Sequence, residues 1–207
     1  MPPKVKFQRD EIVQAALGVA RADGIDAVTA REVAKALGVS VGPIFTWFGT
    51  MDELKAEVCK QAAGLYRESI RRGLTAPVPF LGMWQQHLRF AREEPELYRL
   101  LFLTRPCSIS GGAMEALSDA QELARESLMR VYRLDAQAAD SYCRDLWLVA
   151  FSFATLIVTD NCPYTDEQMF AIGAEISLSI CRAYKEIPGL PRGQYDRDAL
   201  FRETVRT

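Results

Sequence analysis

The stretch from Thr29 to Leu54, TAREVAKALGVSVGPIFTWFGTMDEL, sets small, turn-forming, capping and apolar residues at spacings that fit one short helix crossing another. Val33 and Ala34 form an apolar pair, Gly38 follows four residues on, Ser40 comes next as a helix start, and Ile44 and Phe45 form a second pair. Ala34 is small enough for a close crossing, and Gly38 supplies the positive φ that ends the first helix and turns the chain. Ser40 is placed to cap the next helix, and Ile44 with Phe45 would pin it to the two before it. That leaves the polar side of the second helix facing out, where a major groove could receive it. The chemistry is therefore recognition of nucleic acid, with hydrogen-bond donors for phosphates and small or apolar groups for base edges.

Other chemistries find little to work with. No Ser/His/Asp or Cys/His set, phosphate-binding loop or metal-ligand cluster stands out, so neither an enzyme nor a metal or cofactor is expected. His87 is the single histidine and shares a helical face with Phe80 and Trp84, so a buried histidine bonded to a backbone carbonyl is the expected state, with a ligand contact as the alternative. Cys59, Cys107, Cys143, Cys162 and Cys181 are scattered, without a CxxC pair, which suits reduced thiols rather than a disulfide frame or zinc site.

The 207 residues, 49% hydrophobic and 25% charged, suffice for one large or two modest cores. The longest apolar run, Leu146 to Val158, falls short of the roughly 18–20 residues of a membrane span. With no apolar segment in MPPKVKFQRD to read as a secretory signal, the cytoplasm is the expected location. Net charge is −2, unevenly spread: residues 1–74 hold 11 Lys and Arg against 9 Asp and Glu, and residues 75–207 hold 14 against 18. The basic excess thus sits with the candidate reading helix, and Lys4, Lys6 and Arg9 precede the first acid.

The elements that must position these residues are helical. Ile12, Val13, Ala16, Leu17 and Ala20 define a first helix from Asp10 to Asp23, stopped by Gly24. Thr29 with Glu32 forms a capping box for a second helix to about Leu37, and Ser40 to about Phe48 is the third. Thr50 with Glu53 opens a long fourth helix carrying Leu54, Val58, Ala62, Leu65 and Ser69, ending near Gly73. Further helices follow over Phe80–Ala91, Pro95–Leu103, Ala113–Arg133, Ala136–Thr159 and Glu167–Tyr184, with RPCSISGG at 105–112 as a loop. The fold class is all-α, about nine helices, divided into an N-terminal helix-turn-helix domain at 1–50 and a helical domain at 51–207.

Helix one, TARE, LGVS and GPIFTWFGTMDEL resemble the TetR family of transcriptional regulators, whose signature runs close to "A..LGVS.GTLY.HF..KEEL". A second segment, LRFAREEPELYRLLF from Leu88 to Phe102, is similar to a TetR C-terminal subtype with a Trp-His-Gly motif. That motif falls here on Trp147, Phe151 and Ser152, so its Trp matches and its His-Gly does not. The resemblance implies a DNA-reading head joined to a ligand-binding and dimerisation domain. Thr29, Arg31 and Trp47 match phosphate or sugar contacts. Ser40, Val41, Gly42, Pro43 and Thr46 match the start and base-facing side of the reading helix, and are poor in donors, which favours thymine methyls and shape readout. Two positions depart from the pattern: the usual Tyr is Phe45 and the usual Lys is Met51, so phosphate affinity should fall.

The resemblance further implies a two-fold dimer on a palindromic double-stranded operator and a small-molecule effector that enters between helices four and eight and shifts helix four. Small residues Ala150, Ser152, Ala154, Gly173 and Ser177 would let the last two long helices pack closely across the dimer. Most aromatic residues of helices five to eight belong to the core. Trp84, His87, Phe102, Tyr132, Trp147 and Phe151 are the candidates for lining a pocket, whose few polar side chains point to an apolar or aromatic ligand. A repressor released by that ligand is the leading reading. Its rival is a helical ligand-binding or interaction protein that has lost specific DNA binding, motivated by Phe45 and Met51.

Overall fold

The computed structural model describes residues 8–104 and 112–205, which are helical with no strand among them. Lys4, Lys6, Cys107 and most of the 105–112 loop therefore lie outside the described residues. Ten α-helices follow in order: α1 (Arg9–Asp23), α2 (Ala30–Leu37), α3 (Gly42–Trp47), α4 (Met51–Leu74), α5 (Pro79–Glu93), α6 (Pro95–Tyr98), α7 (Gly112–Tyr132), α8 (Ala136–Val158), α9 (Asp166–Glu186) and α10 (Arg197–Val205). A π-turn at Arg99–Leu103 continues α6, and a 3-10 turn at Leu190–Arg192 precedes α10. The last turn and helix carry no apolar period strong enough to be read in advance, and no residue of α10 is buried.

The head forms as its residue types dictate. Ile12, Val13, Ala16, Leu17 and Ala20 of α1 meet Val33 and Ala34 of α2 and Ile44 of α3, all buried. Gly38 stands at φ +70°, and the amides of Gly38 and Val39 close back on Lys35 and Ala34 at 3.1 and 2.9 Å. Thr29 Oγ1 caps α2 by accepting from Glu32 N. Glu32 turns to Lys35 instead of back to Thr29, so only half of the expected capping box forms.

α4 is the shared beam, about 36 Å long at 1.5 Å per residue, and it packs on α1 at one end and on α5 and α7 further along. Thr50 caps it through Glu53 N at 3.2 Å, while Glu53 reaches back one residue further than expected, to Gly49 N at 2.8 Å. Its buried stripe is Leu54, Val58, Ala62, Tyr66 and Ile70. Leu65, expected inside, is exposed because Tyr66, four residues after Ala62, takes the inner position. Where α4 gives way to α5, two glycines let the backbones touch: a Cβ on Gly73 would lie 2.6 Å from the Gly82 carbonyl, and one on Gly82 would lie 2.1 Å from the Gly73 oxygen.

α8 runs through the middle, against α5, α7 and α9. Asp135 caps it at Ala138 N and is tied to Arg192 at 2.8 Å. Extended N-terminally beyond the apolar run of the sequence reading, Ala136–Val158 is long and apolar enough to cross a membrane, yet half of its most apolar window is buried inside the chain, as in a core helix. The small residues expected at a dimer interface serve the protomer instead. Ala150 and Ala154 are buried, Ser177 bonds the Tyr142 hydroxyl at 2.6 Å, and a Cβ on Gly173 would lie 2.6 Å from the Trp84 ring. Ser152 is the exposed one of the five, and the outward apolar residues are Leu148 on α8 and Leu178 on α9, 46% and 71% exposed.

Candidate nucleic-acid interface and the helix that carries it

α3 is short because Phe48 leaves the helical conformation at φ −126°, ψ 121°. Its first residues are Gly42 and Pro43, and the proline fits there because the first turn needs no N–H. Ser40 does not cap it: the capping position is Val41, with no side-chain hydrogen bond. Nor does Phe45 pin it. Ile44 and Phe48, four residues apart, point into the head, and Phe45, turned about 100° from Ile44, is 49% exposed beside the 50%-exposed Trp47.

The outward surface therefore consists of Val41, Gly42, Phe45, Thr46 and Trp47, with Pro43 partly covered. Thr46 Oγ1 donates to the Gly42 carbonyl at 3.2 Å, so its proton is spent inside the helix and the oxygen faces out as an acceptor. Thr29 and Arg31 are exposed at the start of α2, and Arg31 has no ion-pair partner among the described residues. Arg9 is committed elsewhere. Its guanidinium lies 5.0 Å from the Phe48 ring centroid and 3.2 Å from Glu57 on α4, and Glu57, bonded to Lys60 and reached by Arg9, is held below the usual carboxylate range. Met51 is half-buried against the core. A position where a lysine could have met phosphate is thus occupied by packing.

Behind the head, α4 enters an aromatic core. Trp147 Nε1 donates to the Tyr66 hydroxyl at 3.2 Å, and Tyr66 lies 2.8 Å from His87 Nδ1. On the other side of the ring, His87 Nε2 is 3.5 Å from the Tyr98 hydroxyl, which reaches the Phe151 carbonyl at 3.5 Å. An indole N–H can only donate and a carbonyl can only accept, so the chain has one direction. Tyr66 donates to Nδ1, and His87 carries its proton on Nε2 and donates to Tyr98. Burial keeps this ring neutral, with its pKa lowered to about 3, and pushes the Tyr66 and Tyr98 hydroxyls up. The expected partner of His87, a backbone carbonyl, is replaced by two tyrosines. Sequence spacing could not reveal this, because Tyr66, Tyr98 and Trp147 come from three other helices.

The six residues expected to line a pocket are instead mostly core. Trp84, His87, Phe102 and Trp147 are buried, Phe151 stacks on Trp147 at 5.3 Å, and Tyr132 packs at 4.9 Å from Tyr142. The gap bounded by Trp84, His87 and Trp147 is about 10 Å³, too small for a ligand. An opening with mostly apolar walls and charged residues at its edge lies between α4 and α7, where the resemblance points to α4 and α8. It measures about 230 Å³ and is bounded by Ala63, Gly64 and Tyr66 of α4, by Leu101, and by Ala116 and Asp119 of α7. The signal that would have pointed there is Gly64, a glycine inside a long helix. Among the described residues no His/Cys/Asp/Glu cluster could hold a metal.

The elbow after α5 links these parts. Arg21 of α1 meets Glu94 at 2.6 Å, Glu96 approaches Gly24, Tyr98 joins the His87 chain, and Leu101 borders the opening. Arg99 bonds Glu96 and the Val158 carbonyl, fixing the π-turn to α8.

Residues 12–58 match the family model for bacterial regulatory proteins of the tetR family. No curated protein sequence matches the chain. Among solved structures, the multidrug binding protein EbrR complexed with imidazole is similar, with a TM-score of 0.54 and 21% identity over 82% of this chain and 94% of that one. The TetR family repressor AlkX from Dietzia sp. strain DQ12-45-1b, implicated in biodegradation of n-alkanes, aligns over 86% of this chain and 97% of its own, with 18% identity and a TM-score of 0.49. The first likeness extends the shared fold well beyond the matched head. The head of this chain thus matches a model of bacterial regulatory proteins, and α3 presents an exposed face within the matched segment.

Proposed function

We propose that the protein is a repressor that holds a palindromic operator as a two-fold dimer and leaves it when a small molecule with an apolar or aromatic body occupies the opening between α4 and α7. The observation that carries this is that one helix serves both ends: Met51 at the start of α4 follows the reading helix, and Ala63, Gly64 and Tyr66 of α4 border the opening. A ligand there acts only through tighter binding to the state that fits DNA poorly. On this reading residues 1–50 are the reading domain and residues 51–207 the effector and dimerisation domain, working in the cytoplasm. Leu148 and Leu178 lie in the interface that α8 and α9 make with a second copy, and a single exposed reading helix needs that copy about one helical turn of DNA away.

Thr29, Arg31 and Trp47 are assigned to the phosphate backbone, with Lys4 and Lys6 from the N-terminal arm. Val41, Gly42, Pro43, Phe45 and Thr46 are assigned to base edges, with Ser40 at the approach to the helix. The exposure of Phe45 supports contact with thymine methyls in place of the phosphate contact its missing hydroxyl would have made. Fluorescence anisotropy with the DNA upstream of the protein's own gene tests the reading. Salt-sensitive, sequence-preferring binding by a dimer is expected, and Met51→Lys should tighten it and steepen the salt slope by about 0.9 for one added phosphate contact. Absence of such binding would favour a helical ligand-binding or interaction protein.

A further inference from the structure

We propose that the opening between α4 and α7 takes a small organic carboxylate whose carboxylate group displaces Asp119 from Arg67. The proposal rests on the reading of the chain as an effector-released regulator and names the effector's chemical class.

The room is made deliberately. Gly64 lies inside α4, where glycine weakens a helix, and a Cβ there would meet nothing within 4 Å, so neither close packing nor backbone conformation calls for it. Its missing side chain, with Ala63 and Ala116, opens space beside Leu101 and Tyr66. At about 230 Å³ the opening is smaller than the about 300–1,000 Å³ of drug-sized sites, so the ligand's apolar body is small.

The polarity of the ligand follows from Arg67. Arg67 and Asp119 both border the opening, and Arg67 Nε lies 3.2 Å from Asp119 Oδ2, an ion pair whose buried Nε–H nevertheless finds no acceptor in hydrogen-bonding geometry. The unmet group is therefore a donor on a side chain that is always charged, and the ligand group that completes it is an anionic acceptor. A carboxylate can take the guanidinium fork two bonds at a time, which Asp119 does not achieve from α7. Asp119 retains partial exposure, so it turns to water when displaced rather than being stranded. A cationic ligand would compete with Arg67 for Asp119 and give Arg67 Nε–H no better-aligned acceptor. Displacement also cuts the ion pair that ties α4 to α7, which couples occupancy to the position of α4.

Isothermal titration calorimetry of the full chain with 4-phenylbutyrate, 4-phenylbutanamide and 4-phenylbutylamine tests the class on one carbon skeleton, alongside release of labelled upstream DNA. The carboxylate is expected to bind at least about tenfold more tightly than the other two. Arg67→Gln should abolish that preference, Arg67→Lys should keep part of it, and Asp119→Asn, which removes the competing anion, should tighten carboxylate binding and lower the ligand concentration needed to free the DNA. Circular dichroism establishes that each variant is folded. Tighter binding of the amine or amide, indifference to Arg67→Gln and Arg67→Lys, or no binding of the carboxylate up to about 1 mM each overturns the carboxylate assignment. The effector reading itself stands or falls separately, on whether any apolar compound releases the DNA and Gly64→Val prevents it.

Discussion

Protonation of His87 should set a measurable part of the acid sensitivity of this protein. The ring is 1% exposed and its native pKa is lowered to about 3 by burial, against 6.5 in an open chain. As pH falls, the unfolded chain takes the proton first, so the contribution of His87 is present above about pH 6.5 and is lost progressively toward pH 3. Between pH 7 and pH 5 the loss is about 2 kcal/mol, the difference in proton-binding free energy of a group with pKa 6.5 unfolded and far below 5 when native. The figure is almost unchanged for any native pKa below about 4, because the native ring is then neutral at both pH values. Since His87 is the single histidine, His87→Gln removes the whole effect. Gln breaks the hydrogen-bond chain and costs stability, but equally at both pH values. Urea unfolding followed by circular dichroism, at one protein concentration, should show the unaltered protein losing about 2 kcal/mol more than His87→Gln between pH 7 and 5. Equal losses would refute the assignment of a neutral, buried imidazole.

Tyr66→Phe strips the partner from both the Trp147 indole and His87 Nδ1 and should cost about 2–4 kcal/mol, lowering Tm by roughly 5–15 °C, whereas Tyr132→Phe removes a hydroxyl that meets Tyr142 and Ser177 only in poor hydrogen-bonding geometry and should cost about 1 kcal/mol or less. A calorimetric scan that ranks the two the other way contradicts the hydrogen-bond chain. Gly173→Ala forces a methyl to within 2.6 Å of the Trp84 ring and should cost about 1–3 kcal/mol, read as a shift of the urea midpoint. Leu178→Glu places a charge on the outward side of α9 and should weaken self-association in sedimentation velocity without altering the monomer's helical content. An unchanged dimer would move the interface elsewhere.

What could be read in the sequence was local. Thr29 and Thr50 both cap the helices assigned to them, Gly38 has the left-handed conformation assigned to it, and the buried stripe of α1 is the one its periodicity defines. Adjacent apolar residues misled, because neighbours on a helix point about 100° apart: Ile44 is buried and Phe45 is not. Leu65 failed for the same reason, lying beside Tyr66, which turns inward. Nothing local encodes the approach of Tyr66, His87, Tyr98 and Trp147 from four elements. The small residues of α8 and α9 were legible as close-packing positions, but sequence alone does not say whether the neighbour is Trp84 of the same chain or a second copy.

The one-way chain from Trp147 to Phe151 has a mechanical consequence. Because its donor end and acceptor end cannot be exchanged, α4 cannot roll about its axis to another packing at Tyr66 without leaving several buried polar groups unmet together. Tyr66 is thus a fixed bearing. Any swing of the reading head driven through α4 is confined to the part of the helix before it, and the natural pivot is Gly64, two residues ahead of the bearing, where a side chain would meet no neighbour within 4 Å of its Cβ. The distance from that pivot to Met51 is about 20 Å at 1.5 Å per residue, so a tilt of a few degrees at Gly64 moves the start of the helix by an ångström or more, enough to spoil the register of a groove contact.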